Sequence, residues 1–538
     1  MATDVARRGW TPGVDAAPKT KVAVAAEPAW IDLGVALVLV GGLVLRFVAT
    51  SPLWLDETLS VNIAKVPFGD MAGALRQDGA PPLYYVVLKG WMEIFGSSDF
   101  AVRAMSGVFA VAALPFLWLT GRRLAGREGA WLAVVLMASS PFALRYATEA
   151  RMYSLVVLLS AIGVVLLNGF LDKPTTPRMF GLMVVTGALV LTHYWALYLV
   201  AALLVVLALR AERAKPYESG SVKFPSSWAM VGIGTGLLAI VPWLPSFLYQ
   251  VQHTGTPWAG VLGASTPVIA VLSFGGTGTD ASSLLGLALV LLALIGAFGR
   301  RLDPRVDEKL LLLDLRGSTP GRNIGLLVLA TLLLATIVGI ITRGAFQPRY
   351  AAVVLVPFLL LVALGASNIG AVKLRRGVVA VVAGLGLLVG TAGADQERTQ
   401  AGEIAAVLAT RARANDLVVY CPDQLGPAVA RRLEGLGHGD RLRQVTYPDL
   451  QRPTLIDWVD YAERMKESDP ERLAQRVHQR AAGFTVWLVW SSSYRAVSGK
   501  CGLLNAHLNN VRPRWRNVLT ASATGSAESA NLTVYPPG

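Results

Sequence analysis

The sequence predicts a polytopic α-helical membrane protein of about eleven transmembrane helices, followed by a C-terminal extracytoplasmic α/β domain. Three observations predict this. Of 538 residues, 54% are hydrophobic and only 16% charged. Apolar runs of roughly 17 to 22 residues, each long enough to cross a bilayer core, recur up to about residue 393. Lys and Arg gather in alternate connecting segments, and the apolar runs then shorten to strand length.

Residues 1–29, rich in Ala, Pro and Lys, read as a disordered cytoplasmic tail. They precede the first apolar run, so that run is a transmembrane helix rather than a signal peptide. Candidate spans lie near 31–50, 103–120, 129–144, 152–171, 179–192, 196–210, 228–248, 281–298, 324–342, 350–366 and 377–393. The split at Thr192-His193-Tyr194-Trp195 rests on a polar, aromatic tetrapeptide that suits an interfacial turn.

Basic residues set the topology, because Lys and Arg are retained on the cytoplasmic side. Every second loop is basic: Arg122, Arg123 and Arg127, then Lys173 and Arg178, then Arg210, Arg213 and Lys215, and so on to Lys373, Arg375 and Arg376. The net charge of +14 is therefore an orientation signal and a complement to anionic lipid, not a nucleic-acid footprint. An odd number of spans places residues 394–538 outside. There, Asp416–Tyr420 and Thr485–Trp490 read as strands and Glu471–Ala482 as an amphipathic helix. The two cysteines, Cys421 and Cys501, both fall in this domain, where either a disulfide or two buried thiols is compatible with the sequence.

The membrane part, 30–393, holds a large first outer loop, 51–102, too long for a simple connector and expected to contain short interfacial helices. It opens on Trp54-Leu55-Asp56-Glu57, two adjacent carboxylates just past a membrane-spanning helix, and continues with Asp70, Asp78 and Pro81-Pro82-Leu83-Tyr84-Tyr85. Ionised acids in that position are costly to desolvate, which points to chemistry at the membrane surface. Later outer turns bring Arg145, Tyr146, Glu149, Arg151 and Tyr153, then His193, Tyr194 and Trp195, then His253 and Trp258, and finally Arg343, Gln347, Arg349 and Tyr350. Carboxylates, arginines and aromatics thus converge on one membrane face, where a pocket can hold an anionic lipid headgroup beside a polar acceptor.

The order of these residues resembles a family. Asp-Glu after the first span, Asp-x-x-Pro-Pro-Leu-Tyr-Tyr, Phe-Gly followed by six residues and Arg, Glu-Ala-Arg-Met-Tyr-Ser, and Pro-Arg-Tyr before a late span are similar to the C-superfamily (GT-C) membrane glycosyltransferases. The resemblance is to the bacterial branch related to protein O-mannosyltransferases and the lipid A aminoarabinose transferase, and it covers Ile31 to Leu364. It implies a polyprenyl-phosphate sugar donor and inverting transfer to an acceptor outside the cytoplasmic membrane.

Inverting transfer needs one base for the acceptor hydroxyl. By resemblance Asp56 is that base, with Glu57 orienting the acceptor, assisting Asp56 or binding an ion, and Asp78 as second candidate. The departing phosphate needs fixed cations, and the planar fork of arginine suits phosphate oxygens; the set is Arg349, Arg151, Arg145 and Arg343. Tyr84, Tyr146, Glu149, Tyr153, His193 and Tyr350 are candidates for sugar or acceptor binding.

Each has a bland competitor: solvated acids, arginines that snorkel to lipid phosphate, an aromatic belt, a structural histidine. No His/Cys cluster and no Asp-x-Asp in the first outer loop marks a metal site, so no cofactor is required and a divalent metal, although the carboxylates could bind one, is not expected. Without a nucleotide fingerprint, an ATP-driven mechanism is not expected either. The alternatives are a lipid-linked-sugar transporter or flippase, which should concentrate charges near the midplane, and a non-catalytic envelope-assembly scaffold. Arg46 is the main intramembrane charge. The particular sugar, the acceptor and the oligomeric state are not encoded legibly.

Overall fold

The computed structural model describes residues 29–213, 223–255, 260–301, 311–313, 320–342, 344–492, 494, 497, 499–522 and 528–537. The tail read over 1–29 lies outside the described residues except for its last position, as do Trp258 and Arg343.

Among the described residues, seven stretches are long and apolar enough to cross a membrane, and Leu33–Leu45, Thr176–Thr192 and Thr266–Gly275 are shorter apolar helices. The chain is a multi-pass membrane protein. The longest stretch, Asp99–Ser139, is two spans: the backbone leaves the helix at Ala125 and Gly126, and a Cβ on Gly121 would lie 2.4 Å from the Gly129 carbonyl. A straight helix would hold residues eight apart about 12 Å from each other, so the chain turns back here. The left-handed φ of 66° at Gly126 is what permits the turn.

The break at His193 is also present. Helix Thr176–Thr192 ends there, His193 is extended, and the next helix begins at Ala196. The span expected over 228–248 differs in detail: helix Lys223–Leu237 tightens to a 3-10 segment, Leu238–Trp243, containing Pro242, before helix Leu244–His253. Proline removes a backbone donor and clashes with the preceding turn, which accounts for the change of pitch. The helix Thr266–Leu272 is too short to announce itself as a span and was not expected.

The outer loop folds into three short helices, Leu55–Lys65, Phe68–Asp78 and Leu83–Phe95. Arg46 is fully buried and donates to the carbonyls of Gly42, Ala138 and Met137 at 2.6 to 3.0 Å. It therefore closes the carbonyl ends of two helices, where a cation is favoured by the helix dipole, and has a structural task.

Helix Ala352–Asn368 is the inner post of the membrane part, buried along almost its whole length. Glycine lets its backbone touch its neighbours. A Cβ on Gly365 would lie 1.8 Å from the Leu292 carbonyl, and one on Gly296 would lie 2.1 Å from the Leu361 carbonyl. Small residues at such crossings are how helices pack where the hydrophobic effect offers little drive.

The C-terminal part is a three-layer α/β unit. Its five-stranded sheet runs Arg443–Thr446, Leu417–Cys421, Val486–Trp490, Asn531–Tyr535, Arg516–Leu519 across, with the first three strands mutually parallel and the rest antiparallel. Alternate strand residues face opposite cores: Leu417, Val419, Val486 and Leu488 on one side, Val418, Tyr420, Trp487 and Val489 on the other. Cys421 and Cys501 form a disulfide across 80 residues, which resolves the alternative that the sequence left open.

Gly365→Leu is expected to separate the inner post from helix Asp280–Phe298 and to destabilise the protein by about 3 kcal/mol or more, since overpacking at a backbone contact cannot relax. Thermal unfolding in detergent measures it; an unchanged midpoint would mean that this crossing is not as tight as described.

Candidate active site

The site is built around the first turn of helix Leu55–Lys65. Pro52 to Trp54 arrive extended, and Asp56 and Glu57 then occupy the first turn, where the helix dipole favours carboxylates. The two acids, adjacent in sequence, point to different environments. Glu57 is fully buried. Its Oε1 accepts from Arg103 Nε at 2.7 Å and from the Ala150 amide at 2.9 Å, and its Oε2 accepts from Arg103 Nη2 at 2.6 Å. Arg103 also donates to the carbonyls of Ser51 and Pro52. With its oxygens spoken for, Glu57 holds the turn in place; it is a positioning residue, and its expected part in the chemistry is not supported by this geometry.

Asp56 faces the other way. Its Oδ2 lies 3.0 Å from Arg349 Nη2, and the two side chains are 15% and 16% exposed, so the pair remains reachable where Glu57 is not. The approach lacks hydrogen-bond alignment, and Asp56 Oδ2 retains its accepting capacity. The Arg349 guanidinium also sits 5.6 Å from the centre of the Trp54 ring. Pro348 starts the turn that places Arg349 at the head of the inner post.

Arg151 lies on the opposite side of the helix turn, donating to the Asp56 carbonyl at 3.3 Å and to Ser60 Oγ at 3.2 Å. Asp78 is folded back by the loop toward the same group: Tyr85 donates to it at 3.0 Å, and burial pushes its carboxyl up against the opposing pull of Arg151. Arg145 stands 3.6 Å from Glu149. Burial raises the Glu149 carboxyl, and Arg145 and Arg398 counter it.

Aromatic rings line one side in sequence: Tyr146 against Tyr153 at 4.8 Å, Tyr153 against His193 at 5.8 Å, His193 against Tyr350 at 5.6 Å. His193 is buried and accepts from the Trp195 amide, and burial, aided by Arg151 and Arg349, lowers it to about 3. It is a neutral wall residue at ordinary pH. Tyr84 is fully buried and packs edge-on against Tyr85, so its ring belongs to the core and is not offered to a sugar.

A cleft of about 760 Å³ opens beside this group. Arg145, Tyr146 and Arg349 supply its polar end, and Leu144, Leu388 and Val389 contribute apolar wall. Arg145 Nη1, Arg151 Nε and Arg349 Nε are buried without hydrogen-bond partners. Each such group costs about 1 to 3 kcal/mol to leave unsatisfied, so the two that line the cleft, on Arg145 and Arg349, describe a site prepared for an anion.

Two residues absent from the expected set bind the C-terminal unit to this turn. Arg398 donates to the Thr148 carbonyl and hydroxyl, both at 2.7 Å, and Glu528 Oε1 accepts from the Leu55 amide at 2.7 Å. Nothing local in the sequence signals either contact, because the partners are hundreds of residues apart. Arg103 did carry a signal, in its fixed spacing after Phe95-Gly96.

Arg103→Ala should leave the buried Glu57 with weaker partners such as the Ala150 amide and the more distant Arg398, 3.9 Å away, and cost about 3 kcal/mol, read by thermal unfolding; a shift of less than about 1 kcal/mol would mean that the Arg103 clasp does not hold this turn. For His193, the folded value of about 3 lies below the ordinary 6.5, so the unfolded chain binds the extra proton between them. Stability should therefore fall as pH drops from 6.5, by about 2 kcal/mol at pH 5, and His193→Phe should flatten that slope in unfolding measured across the range.

Comparison with known proteins agrees with this architecture. Residues 79–245 match a family model described as dolichyl-phosphate-mannose-protein mannosyltransferase. No curated protein matches the chain by sequence. Among solved structures, ArnT from Cupriavidus metallidurans in the apo state superposes with a TM-score of 0.61 at 13% identity, over 94% of this chain and 97% of that one. ArnT bound to undecaprenyl phosphate gives 0.58 at 14% identity, over 94% and 98%. The chain therefore carries the fold of the C-superfamily membrane glycosyltransferases, as the order of its motifs predicts.

Proposed function

We propose that the protein is an inverting glycosyltransferase that moves a sugar such as mannose or arabinose from a polyprenyl-phosphate donor to an extracytoplasmic glycan, glycolipid or protein. The observation that carries this reading is the pairing of Asp56 with Arg349, an arginine that itself lines an apolar-walled cleft. The family model that matches residues 79–245 and the similarity to ArnT bound to undecaprenyl phosphate support it. Arg349 and Arg145 would hold the phosphate, with the first isoprene units along Leu144, Leu388 and Val389.

The acceptor hydroxyl oxygen attacks the anomeric carbon from the face opposite the phosphate. As that bond forms, the bond from the anomeric carbon to phosphate oxygen breaks, its electron pair stays on the phosphate, and the hydroxyl proton passes to Asp56. When Arg349 turns toward the phosphate it releases Asp56 to accept that proton. Two arginines meet the developing charge in a partly dry site, where fixed cations act strongly, so this reading requires no divalent ion.

The reaction is placed on the outer face of the bacterial cytoplasmic membrane, with the N-terminus inside and the α/β unit outside. The alternation of basic loops supports this orientation, and the disulfide suits an oxidising compartment.

In lipid-reconstituted protein supplied with a panel of polyprenyl-phosphate sugars and a membrane-extract acceptor, Asp56→Asn should lower transfer by about 100-fold or more while undecaprenyl phosphate still binds. Arg349→Ala should weaken undecaprenyl phosphate binding by about tenfold or more. Consumption of no donor by the folded wild type would favour the transporter or scaffold instead.

A further inference from the structure

The parallel strands Leu417–Cys421 and Val486–Trp490 lie side by side, and the chain leaves their carboxyl ends in opposite directions. Helix Gly426–Gly435 follows the first and packs on one face of the sheet; helix Lys500–Val511 follows the second and packs on the other. In open α/β sheets such a divergence marks the strand ends at which ligands bind, in the crevice between the two exits. The Cys421 to Cys501 disulfide joins the two exits.

This end of the sheet meets the helix that carries Asp56. Leu55 and Leu59 belong to the same apolar cluster as Cys421 and Tyr461, and Trp54 and Tyr494 pack against it. Two buried polar atoms here have no partner, the Trp54 indole nitrogen and the Tyr494 hydroxyl. Burial pushes the Tyr494 hydroxyl well up, and the carboxyls of Glu528, Asp56 and Asp423 add to the effect, so it stands among acids from both halves of the molecule. Asp423 accepts from the Tyr461 hydroxyl at 2.5 Å, and Gln424 donates to that same hydroxyl at 3.2 Å.

We infer that this crevice, with Tyr494, Asp423 and the indole edge of Trp54 as its contacts, binds an uncharged sugar unit of the acceptor and presents its hydroxyl to Asp56. The inference rests on the transferase reading above and adds the acceptor's place and chemical class. Charge is divided accordingly. Arg145 and Arg349, each with an unpartnered guanidinium nitrogen, line the cleft, whereas Glu528, Asp56 and Asp423 act on Tyr494, and Arg464, the cation that acts on Asp423, is paired with Asp449 at 2.9 Å. Burial raises Asp423 to about 7 and Glu528 to about 8, so near neutrality both offer donors as well as acceptors, which suits hydroxyl groups and disfavours a phosphate. Trp54 stands between the two, with Arg349 over its ring and its indole nitrogen buried and unpartnered.

The test is binding of methyl mannoside and methyl arabinoside to the full-length protein in lipid nanodiscs, followed by saturation-transfer NMR, with undecaprenyl phosphate binding measured in parallel. Tyr494→Phe and Asp423→Asn should each weaken glycoside binding by about tenfold, the loss of one good hydrogen bond, and leave undecaprenyl phosphate binding unchanged. Trp54→Phe, which keeps a ring and removes the nitrogen, decides the matter if either variant fails to bind the lipid. Glycoside affinity unaltered in variants that still bind the lipid, or no glycoside binding by the wild type, overturns the subsite. If Asp56→Asn abolishes transfer while these variants bind glycoside normally, the transferase stands without this subsite; if Tyr494→Phe loses glycoside but no donor is ever consumed, the subsite stands and the transferase falls.

Discussion

The buried pairing of Glu57 with Arg103 is the constraint on which the rest of the site depends. It ties the first turn of the outer loop to the second membrane segment, and through the Ala150 amide to the turn that carries Arg145, Glu149 and Arg151. A charge taken out of water needs full compensation, and here the carboxylate receives a forked guanidinium and a backbone donor. The neighbouring Asp56 is thereby free of any structural duty and is aimed at Arg349. Two adjacent acids divide into one that holds the geometry and one that remains available, through burial alone.

Arg349 depends on a different device. It heads the inner post Ala352–Asn368, whose height is set by glycine contacts with helix Asp280–Phe298. In a lipid environment close backbone approach replaces the hydrophobic drive that would fix a helix in water. Arg349 is thus carried by a rigid, buried element, while its partner Asp56 is carried by an interfacial helix that the C-terminal unit also grips through Glu528. The pair forms only where those two supports meet.

The C-terminal α/β unit is more than an appendage on this account. Arg398 reaches back to Thr148 and Glu528 to Leu55, so the first turn of helix Leu55–Lys65 is held from the membrane side by Arg103 and from the other side by Glu528, while Arg398 grips the neighbouring turn.

Much of this was legible in the chain. Apolar run length marked out the spans, because a bilayer imposes a length that few other constraints imitate, and the polar, aromatic tetrapeptide Thr192 to Trp195 marked the break at His193. The strands and the amphipathic helix of the C-terminal unit followed from period, and Asp56, Arg145 and Arg349 stood out as charges where charge is costly. What the sequence could not show is direction. Nothing local distinguishes Asp56 from Glu57, or marks Tyr84 as core and Tyr146 as cleft, because adjacent side chains on a helix diverge by about 100° and their surroundings come from distant segments. The Cys421 to Cys501 bond and the grip of Glu528 on Leu55 were decided only when strands and helices far apart in sequence were brought together, since each depends on a distance that chain order does not contain.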